Sequence, residues 1–532
     1  MALHNRRDIL AGGAALALTA CGGGGGSGAP APSPAPAPTP APAPAPTPAP
    51  APAPTPAPAP APTPAPAPAP APSQTPLTFT NAGVHDPSVI RADGQFYVFG
   101  SHLAAARTPD LMNWTKIGDG VNNSNPIFGN KVTTELAETL AWAQTDTLWA
   151  PDVTKGADGK FYMYYCACKG DSPRSALGIA VADKVDGPYV NKQLLLKSGM
   201  TGPSEDGTVY NANVHPNVVD PSVFADTTGK LWMVYGSYSG GIFIMELNAT
   251  TGLPLAGQGY GKHLMGGNHA RIEGAYILYS PQSQYYYLFV SFGGLGAGAD
   301  GGYNVRIARS RNPDGPYVDG AGKDMSTVKG ATGTFFDDAS ITPHGMKLMG
   351  AHQFALATGE TGTALGYISP GHNSAYYDAA TQQYFIVFHT RFPNTGEAHE
   401  IRVHEMQLNE DGWLVIAPLR YAPLSLANPA QTADVSAAQA AGSYKLVNHA
   451  KDIAAAAKAS INVTLNTDGT VTGGLTGTWT HKGSNKLSVV SGGTTYAGVL
   501  SRQWNTNASA FVVSFSALSS GGVSLWAVRT GA

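Results

Sequence analysis

The sequence predicts an all-β protein: a five-bladed β-propeller followed by a small C-terminal antiparallel β-barrel or sandwich. Three observations predict it. The pattern of an acid, Pro-Ser-Val, a glycine turn, an aromatic strand and Gly-Ser stands at Asp86 ("DPSVIRADGQFYVFGS") and again at Asp220 ("DPSVFADTTGKLWMVYGS"). Looser copies are headed by Asp152, Glu273 and His372, which makes five. The chain is also rich in Tyr, Val, Ser, Thr and glycine (64 residues), a mix that favours strands joined by many turns.

The elements follow in chain order. With 532 residues the chain has room for more than one domain. Its net charge is −3 and no basic stripe is present, which argues against a nucleic-acid partner. Residues 1–28 read as an export signal: Arg6 and Arg7 precede "DILAGGAALALTAC", an apolar run too short to span a bilayer. Leu18-Thr19-Ala20-Cys21 resembles a bacterial lipobox, which implies cleavage before Cys21 and a lipid attached to it. That reading places the protein in the cell envelope, at the outer membrane or cell surface, with plain secretion as the alternative. The paired arginines also resemble a twin-arginine signal.

Residues 29–76 form an Ala/Pro-rich tether. Every even position from Pro30 to Pro72 is proline, using 22 of the 42 prolines. Such a segment cannot build ladder hydrogen bonds and stays extended near polyproline II. At about 3.1 Å per residue it reaches roughly 130 Å when straight. It either carries an anchored protein to an insoluble polymer or is a passive linker.

The propeller is expected over 77–424. Its repeat heads fall 66, 68, 53 and 99 residues apart, and irregular spacing of this kind marks insertions in loops. Each copy holds a hairpin and leaves space for two more strands, which gives four strands per blade. One copy would be ordinary turn chemistry, since Asp-Pro opens turns and aromatic strands occur in any sandwich. Five copies, four of them headed by Asp or Glu, exceed that. In a propeller the innermost strands begin near the axis, so the heads of different blades converge on one cavity. After Cys21 the cysteines are Cys166 and Cys168, two apart on one strand. They share a face, a bridge between them would be badly strained, and they read as buried free thiols.

Three carboxylates at one cavity suggest cleavage of a glycosidic bond. One acid must stay protonated to assist the leaving oxygen, and one must stay ionised to activate water or attack. A third carboxylate nearby can keep the acid protonated by like-charge repulsion.

"HDPSVI", "WAPDV", "VVDPSVF" and "IEGAYI", in that order, resemble glycoside hydrolase family 43. "PGHNSAYYD", "VFHTRF" and "RVHEMQLNEDGWLVIAPLRY" are similar to motifs of its extracellular two-domain endo-α-1,5-L-arabinanases. The resemblance runs from about Leu77 to Pro423. It implies a five-bladed propeller that hydrolyses arabinan with inversion. Asp86 would be the base, Glu273 the acid and Asp220 the carboxylate that tunes and orients the acid. Inversion expects base and acid about 6.5–9.5 Å apart. His372, in "GHNS", would help to hold calcium near the axis, mostly through waters; no organic cofactor is implied. Without the resemblance His372 reads equally as a hydrogen-bonding residue, since calcium prefers oxygen ligands. Asp152 belongs to the cavity wall or to structure. Trp149, Asn217, Tyr238 and Arg391 are candidate sugar contacts by position, or blade packing. Two departures stand out: Ala275 where many relatives have Pro, and Ser239 where many arabinanases have Trp. The second puts chain-length preference in doubt.

Residues 440–532 change character. "SINVTLNTDGTVTG" alternates around a DG turn, a hairpin signal, and further strands follow. The region resembles the accessory β-barrel of two-domain members. It either grips polymer or supports the propeller; Trp479, Trp504 and Trp526 would be exposed in the first case and buried in the second. The competing readings are an exo-acting arabinanase, arabinofuranosidase or β-xylosidase of the same family, and a glycan-binding lipoprotein without catalysis. The expected partners are plant cell-wall arabinan and, through the lipid, a membrane; the chain is expected to be a monomer.

Overall fold

The computed structural model describes residues 76–295 and 301–531. The signal, Cys21 and nearly all of the tether lie outside the described residues. Five sheets form the propeller. Blade 1 holds β1 (Ser88–Ala92), β2 (Gln95–Gly100), β3 (Ala104–Thr108) and β4 (Thr115–Gly118). Blade 2 holds β5 (Asp152–Lys155), β6 (Phe161–Cys168), β7 (Ser175–Ala182) and β8 (Val190–Ser198). Blade 3 holds β9 (Ser222–Ala225), β10 (Leu231–Tyr235), β11 (Ile242–Leu247) and β12 (Lys262–Met265). Blade 4 holds β13 (Ile272–Ser280), β14 (Tyr285–Phe292), β15 (Asn304–Ser310) and β16 (Met346–Met349). Blade 5 is built from β17 (His352–Gln353), β18 (Gly366–Asp378), β19 (Gln383–Arg391), β20 (His399–Leu408) and β21 (Leu414–Ile416).

Within blades 1–4 the strands pair antiparallel in chain order. The innermost strands close a ring: β1 touches β5, then β9, β13 and β18 follow, and β18 touches β1 again. The chain ahead of β1 staples the closure. Ile401 N–H donates to Ala82 O (3.0 Å) on the blade 5 side, and Trp114 N–H donates to Thr80 O (3.0 Å) on the blade 1 side.

The aromatic strands are explained by what lies between blades. Strand β6 is buried along its whole length, and its residues alternate between two cores. Phe161, Met163, Tyr165 and Ala167 pack against blade 1. Tyr162, Tyr164, Cys166 and Cys168 pack against blade 3. A strand sandwiched on both faces reads as a continuous apolar run rather than a polar–apolar alternation. Strand β14 repeats the scheme, with Tyr287 and Phe289 facing blade 5 and Tyr286, Leu288 and Val290 facing blade 3. Cys166 and Cys168 are buried on one face, as their spacing predicts.

The C-terminal region is a closed barrel of β22 (Gly442–Asn448), β24 (Ile461–Leu465), β25 (Thr470–Gly473), β26 (Gly477–Gly483), β27 (Lys486–Ser491), β28 (Thr494–Asn505), β29 (Ala510–Ser519) and β30 (Ser524–Arg529). The short β23 (Lys458–Ala459) leaves it to pair in parallel with β17 of blade 5. Trp479, Trp504 and Trp526 are all buried. Exposed aromatics were the sign of polymer gripping, so these three rings favour the supporting role.

Candidate active site

The heads of the five blades meet at the axis. Asp86, Asp220, His372, Ser88, Ser222 and Asn373 line a cleft of about 250 Å3 that opens to solvent. Asp86 (φ 53°), Asp220 (φ 58°) and His372 (φ 42°) share a left-handed backbone immediately ahead of or within the inner strand. In blade 4 the following residue, Gly274 (φ 60°), takes that conformation instead, beside the His372 ring. L-residues adopt this region at a cost, and such strain collects at functional sites. The repeat therefore copies a backbone turn as well as a sequence. Asp152 lacks the turn.

Asp86 is 1% exposed. Its Oδ2 accepts from Ser101 Oγ (2.5 Å) and lies 3.0 Å from His85 Nδ1, while Oδ1 lies 3.0 Å from His372 Nδ1. One hydroxyl donor and two imidazoles thus surround this carboxylate. Its backbone N–H donates to His389 Nδ1 (3.0 Å), which leaves the proton of that ring on Nε2. Burial pushes the His389 pKa well below the usual value, so the ring stays neutral, and it stacks on His85 with centroids 3.9 Å apart.

Glu273, also 1% exposed, accepts from Tyr303 Oη at Oε1 (2.6 Å) and from Ser237 Oγ at Oε2 (2.9 Å). Asp220, Glu273 and His372 bring one polar atom each within 4.8 Å of one another. The arrangement thus joins one carboxylate beside a hydroxyl and two imidazoles to a second carboxyl held by two hydroxyls and close to a third.

Asp152 plays a different part. It is buried, accepts at Oδ1 from Ser88 Oγ of blade 1 and at Oδ2 from Val223 N–H of blade 3 (2.6 Å). One carboxylate therefore ties three blades together. Burial pushes its pKa up to about 6. Between 3.8 and about 6 the folded carboxyl holds a proton that the unfolded one releases, so this group's contribution to stability falls as pH rises through that window. Asp152→Asn is expected to remove this dependence. Denaturant titrations of both proteins at pH 4 and 7 should show their stability difference changing by about 2 kcal/mol. A difference independent of pH would refute the titration.

The other candidate contacts do not line the cleft. Trp149 packs in the core between blades 2 and 3, and buried Asn217 accepts from Ser175 Oγ (2.5 Å). Arg391 is buried and pairs with Glu397 (2.5 Å). Tyr238 is half-buried with its ring 5.8 Å from that of Phe336.

A divalent cation fits these residues. His372 offers an imidazole beside two carboxylates, and the buried Ser222 Oγ and Asn373 Oδ1 have no hydrogen-bond partner within the protein. Those are hard oxygen donors next to a nitrogen in an acidic cleft.

Residues 78–342 match the domain of glycosyl hydrolases family 43, and residues 418–527 match the C-terminal lipocalin-like domain found with it. The chain is 56% identical over 453 residues to extracellular endo-alpha-(1->5)-L-arabinanase 2 of Bacillus subtilis, covering 85% of this chain and 94% of the relative. The chain belongs to glycoside hydrolase family 43. A second relative, the extracellular endo-alpha-(1->5)-L-arabinanase of Thermotoga petrophila, is 48% identical over 462 residues, covering 85% and 94%. Among solved structures, a family 43 glycoside hydrolase from Bacillus licheniformis superposes with TM-score 0.81 at 56% identity, covering 86% of this chain and 99% of that one. The endo-1,5-alpha-L-arabinanase of Thermotoga petrophila gives 0.80 at 47% identity, covering 86% and 100%.

Several neighbours of this family 43 site escape a sequence reading. Ser101 and Ser237 stand in the repeated Gly-Ser, where they read as turn residues until the fold delivers them to Asp86 and Glu273. His389 sits in "VFHTRF" without a signal of its own. Tyr303 follows a glycine-rich stretch that predicts no contact at all.

Proposed function

We propose that this family 43 enzyme cleaves internal α-1,5-L-arabinofuranosidic bonds of arabinan by a single displacement with inversion. The observation that carries the reading is similarity along nearly the whole length of two extracellular enzymes named for that activity. The reading is supported by Asp86 and Asp220 lining one cleft and by Glu273 lying within 4.8 Å of Asp220 and His372 through their polar atoms.

In this mechanism Asp86 accepts a proton from a water whose oxygen attacks the anomeric carbon. The bond to the leaving oxygen breaks, and that oxygen takes the proton of Glu273. His85 and Ser101 hold the base in its ionised form, and neutral His389 fixes its backbone. Tyr303 and Ser237 fix the acid. The charge of Asp220, close to Glu273, makes a second negative charge there costly and so favours the protonated acid.

Calcium is proposed at His372, with Ser222 and Asn373 as oxygen neighbours; when bound it supplies positive charge beside the acids. Calcium is expected to raise the melting temperature of the wild type, and His372→Ala to abolish most of that rise and to weaken calcium binding in calorimetry. Equal calcium responses in both proteins would remove His372 from the site. Outside the cell the enzyme would meet its polymer by secretion or by a lipid at Cys21.

The test is a time course on linear arabinan with the products resolved by chromatography. An early ladder of mixed oligosaccharides is expected. A single short product from the first minutes would mean exo action, and an untouched polymer would overturn the substrate.

A further inference from the structure

We propose that Phe335, with Phe336 and His269, forms an aromatic shelf that holds a furanose ring of the arabinan chain away from the bond being cut. The inference rests on the arabinan reading above and extends it to a second place on the substrate.

Phe335 is 62% exposed, unusual for a large apolar side chain on a tied loop. Its ring is stacked on His269 (centroids 4.5 Å, 29°) and meets Phe336 edge-on (6.3 Å). Phe336 is half-buried between the Tyr238 ring at 5.8 Å and the Arg271 guanidinium at 6.0 Å. Arg271 is itself fixed by both oxygens of Asp338. Burial lowers the His269 pKa, which keeps its ring neutral and suited to stacking.

The two loops that carry these rings are bound to each other and closed on themselves. Asn268 Nδ2 donates to Gly330 O (2.8 Å), and His269 N–H donates to Ser239 O (2.9 Å). The Asp337 carboxylate accepts from Ala331 N–H (3.0 Å), Ser340 N–H (3.2 Å) and Ser340 Oγ (2.6 Å). Tyr238, Ser239, Asn268, His269 and Phe336 all have positive φ, between 30° and 58°. Five strained non-glycine residues in one patch mean that the fold spends stability to present these rings.

The shelf is joined to the acid by a short chain of contacts. Tyr238 N–H donates to Ile272 O (2.9 Å), the residue before Glu273, and Ser237, next to Tyr238, donates to the Glu273 carboxylate. An exposed ring tied through Phe336 and Tyr238 to the strand that carries Glu273 offers a flat apolar face to the C–H face of a sugar. It carries no charge, as a neutral substrate requires.

The test compares kcat/KM of the wild type and Phe335→Ala over linear arabino-oligosaccharides from the trisaccharide upward, and on polymer. The loss is expected to grow with chain length, reaching about fivefold on the longest chains. Phe335→Trp should restore the length dependence. Identical length profiles for wild type and Phe335→Ala overturn the shelf, as does a uniform loss at every length. Failure of the wild type to cut any arabinan overturns the substrate and the shelf together, and is thus distinguishable from failure of the shelf alone.

Discussion

Glu273→Gln is expected to slow hydrolysis of arabinan by roughly 10²–10⁴-fold, the range for removing a general acid, while polymer binding survives. The fold should tolerate the change. Gln keeps the shape, its carbonyl accepts from one hydroxyl, and the hydroxyl of Tyr303 or Ser237 can turn to accept from its amide. Asp86→Asn should cost a similar factor through loss of the base. The two roles separate on an arabino-oligosaccharide carrying a nitrophenyl leaving group. That group departs without protonation, so Glu273→Gln should regain most of its rate there and Asp86→Asn none. Equal losses on both substrates would sink the assignment of acid and base.

How far these residues were legible beforehand follows from what a repeat can encode. The blade count and the aromatic strands could be read because each blade repeats one local solution: a turn, an inner strand, a second strand buried on both faces. Asp86 and Asp220 announce themselves in the same phrase, and the structure gives them the same backbone turn. Asp152 writes a similar phrase without that turn, and its carboxylate goes to Ser88 and Val223 of neighbouring blades. No local pattern separates a head that ties blades from one that faces the cleft, because the difference lies in partners 64 and 71 residues away. Tyr303 was illegible for the same reason. Its value comes from reaching Glu273 across 30 residues, and nothing beside it in the chain records that. Arg391 likewise has a partner that no local pattern announces, since its guanidinium pairs with Glu397.

The second large effect concerns the barrel, which the sequence leaves undecided between gripping polymer and supporting the propeller. Trp526→Ala is expected to destabilise the whole protein by about 3–5 kcal/mol, the cost of deleting a buried aromatic ring. Trp526 has no exposed surface and shares one core with Tyr287, Phe289, Phe388, Trp413 and Ile416 of blades 4 and 5. Its ring packs on His352, His404 and His449, with centroids 5.1, 5.9 and 4.7 Å away. Polar ties cross the same boundary. Ser524 Oγ donates to Leu348 O (2.9 Å), Lys347 Nζ donates to the carbonyls of His449 (2.9 Å) and Asp452 (2.7 Å), and Arg306 donates to that of Lys451 (2.6 Å). Burial lowers the Lys347 pKa to about 7, and removing the barrel would take away the carbonyls to which its amine donates. A chain ending at Pro423 should therefore lose its cooperative melting transition, or melt far below the full protein, and Trp526→Ala should lower the single transition of the intact chain. A barrel that only grips polymer makes the opposite forecast. The shortened propeller would then melt where the full protein does, cut arabino-oligosaccharides at the same rate, and lose affinity for polymer alone.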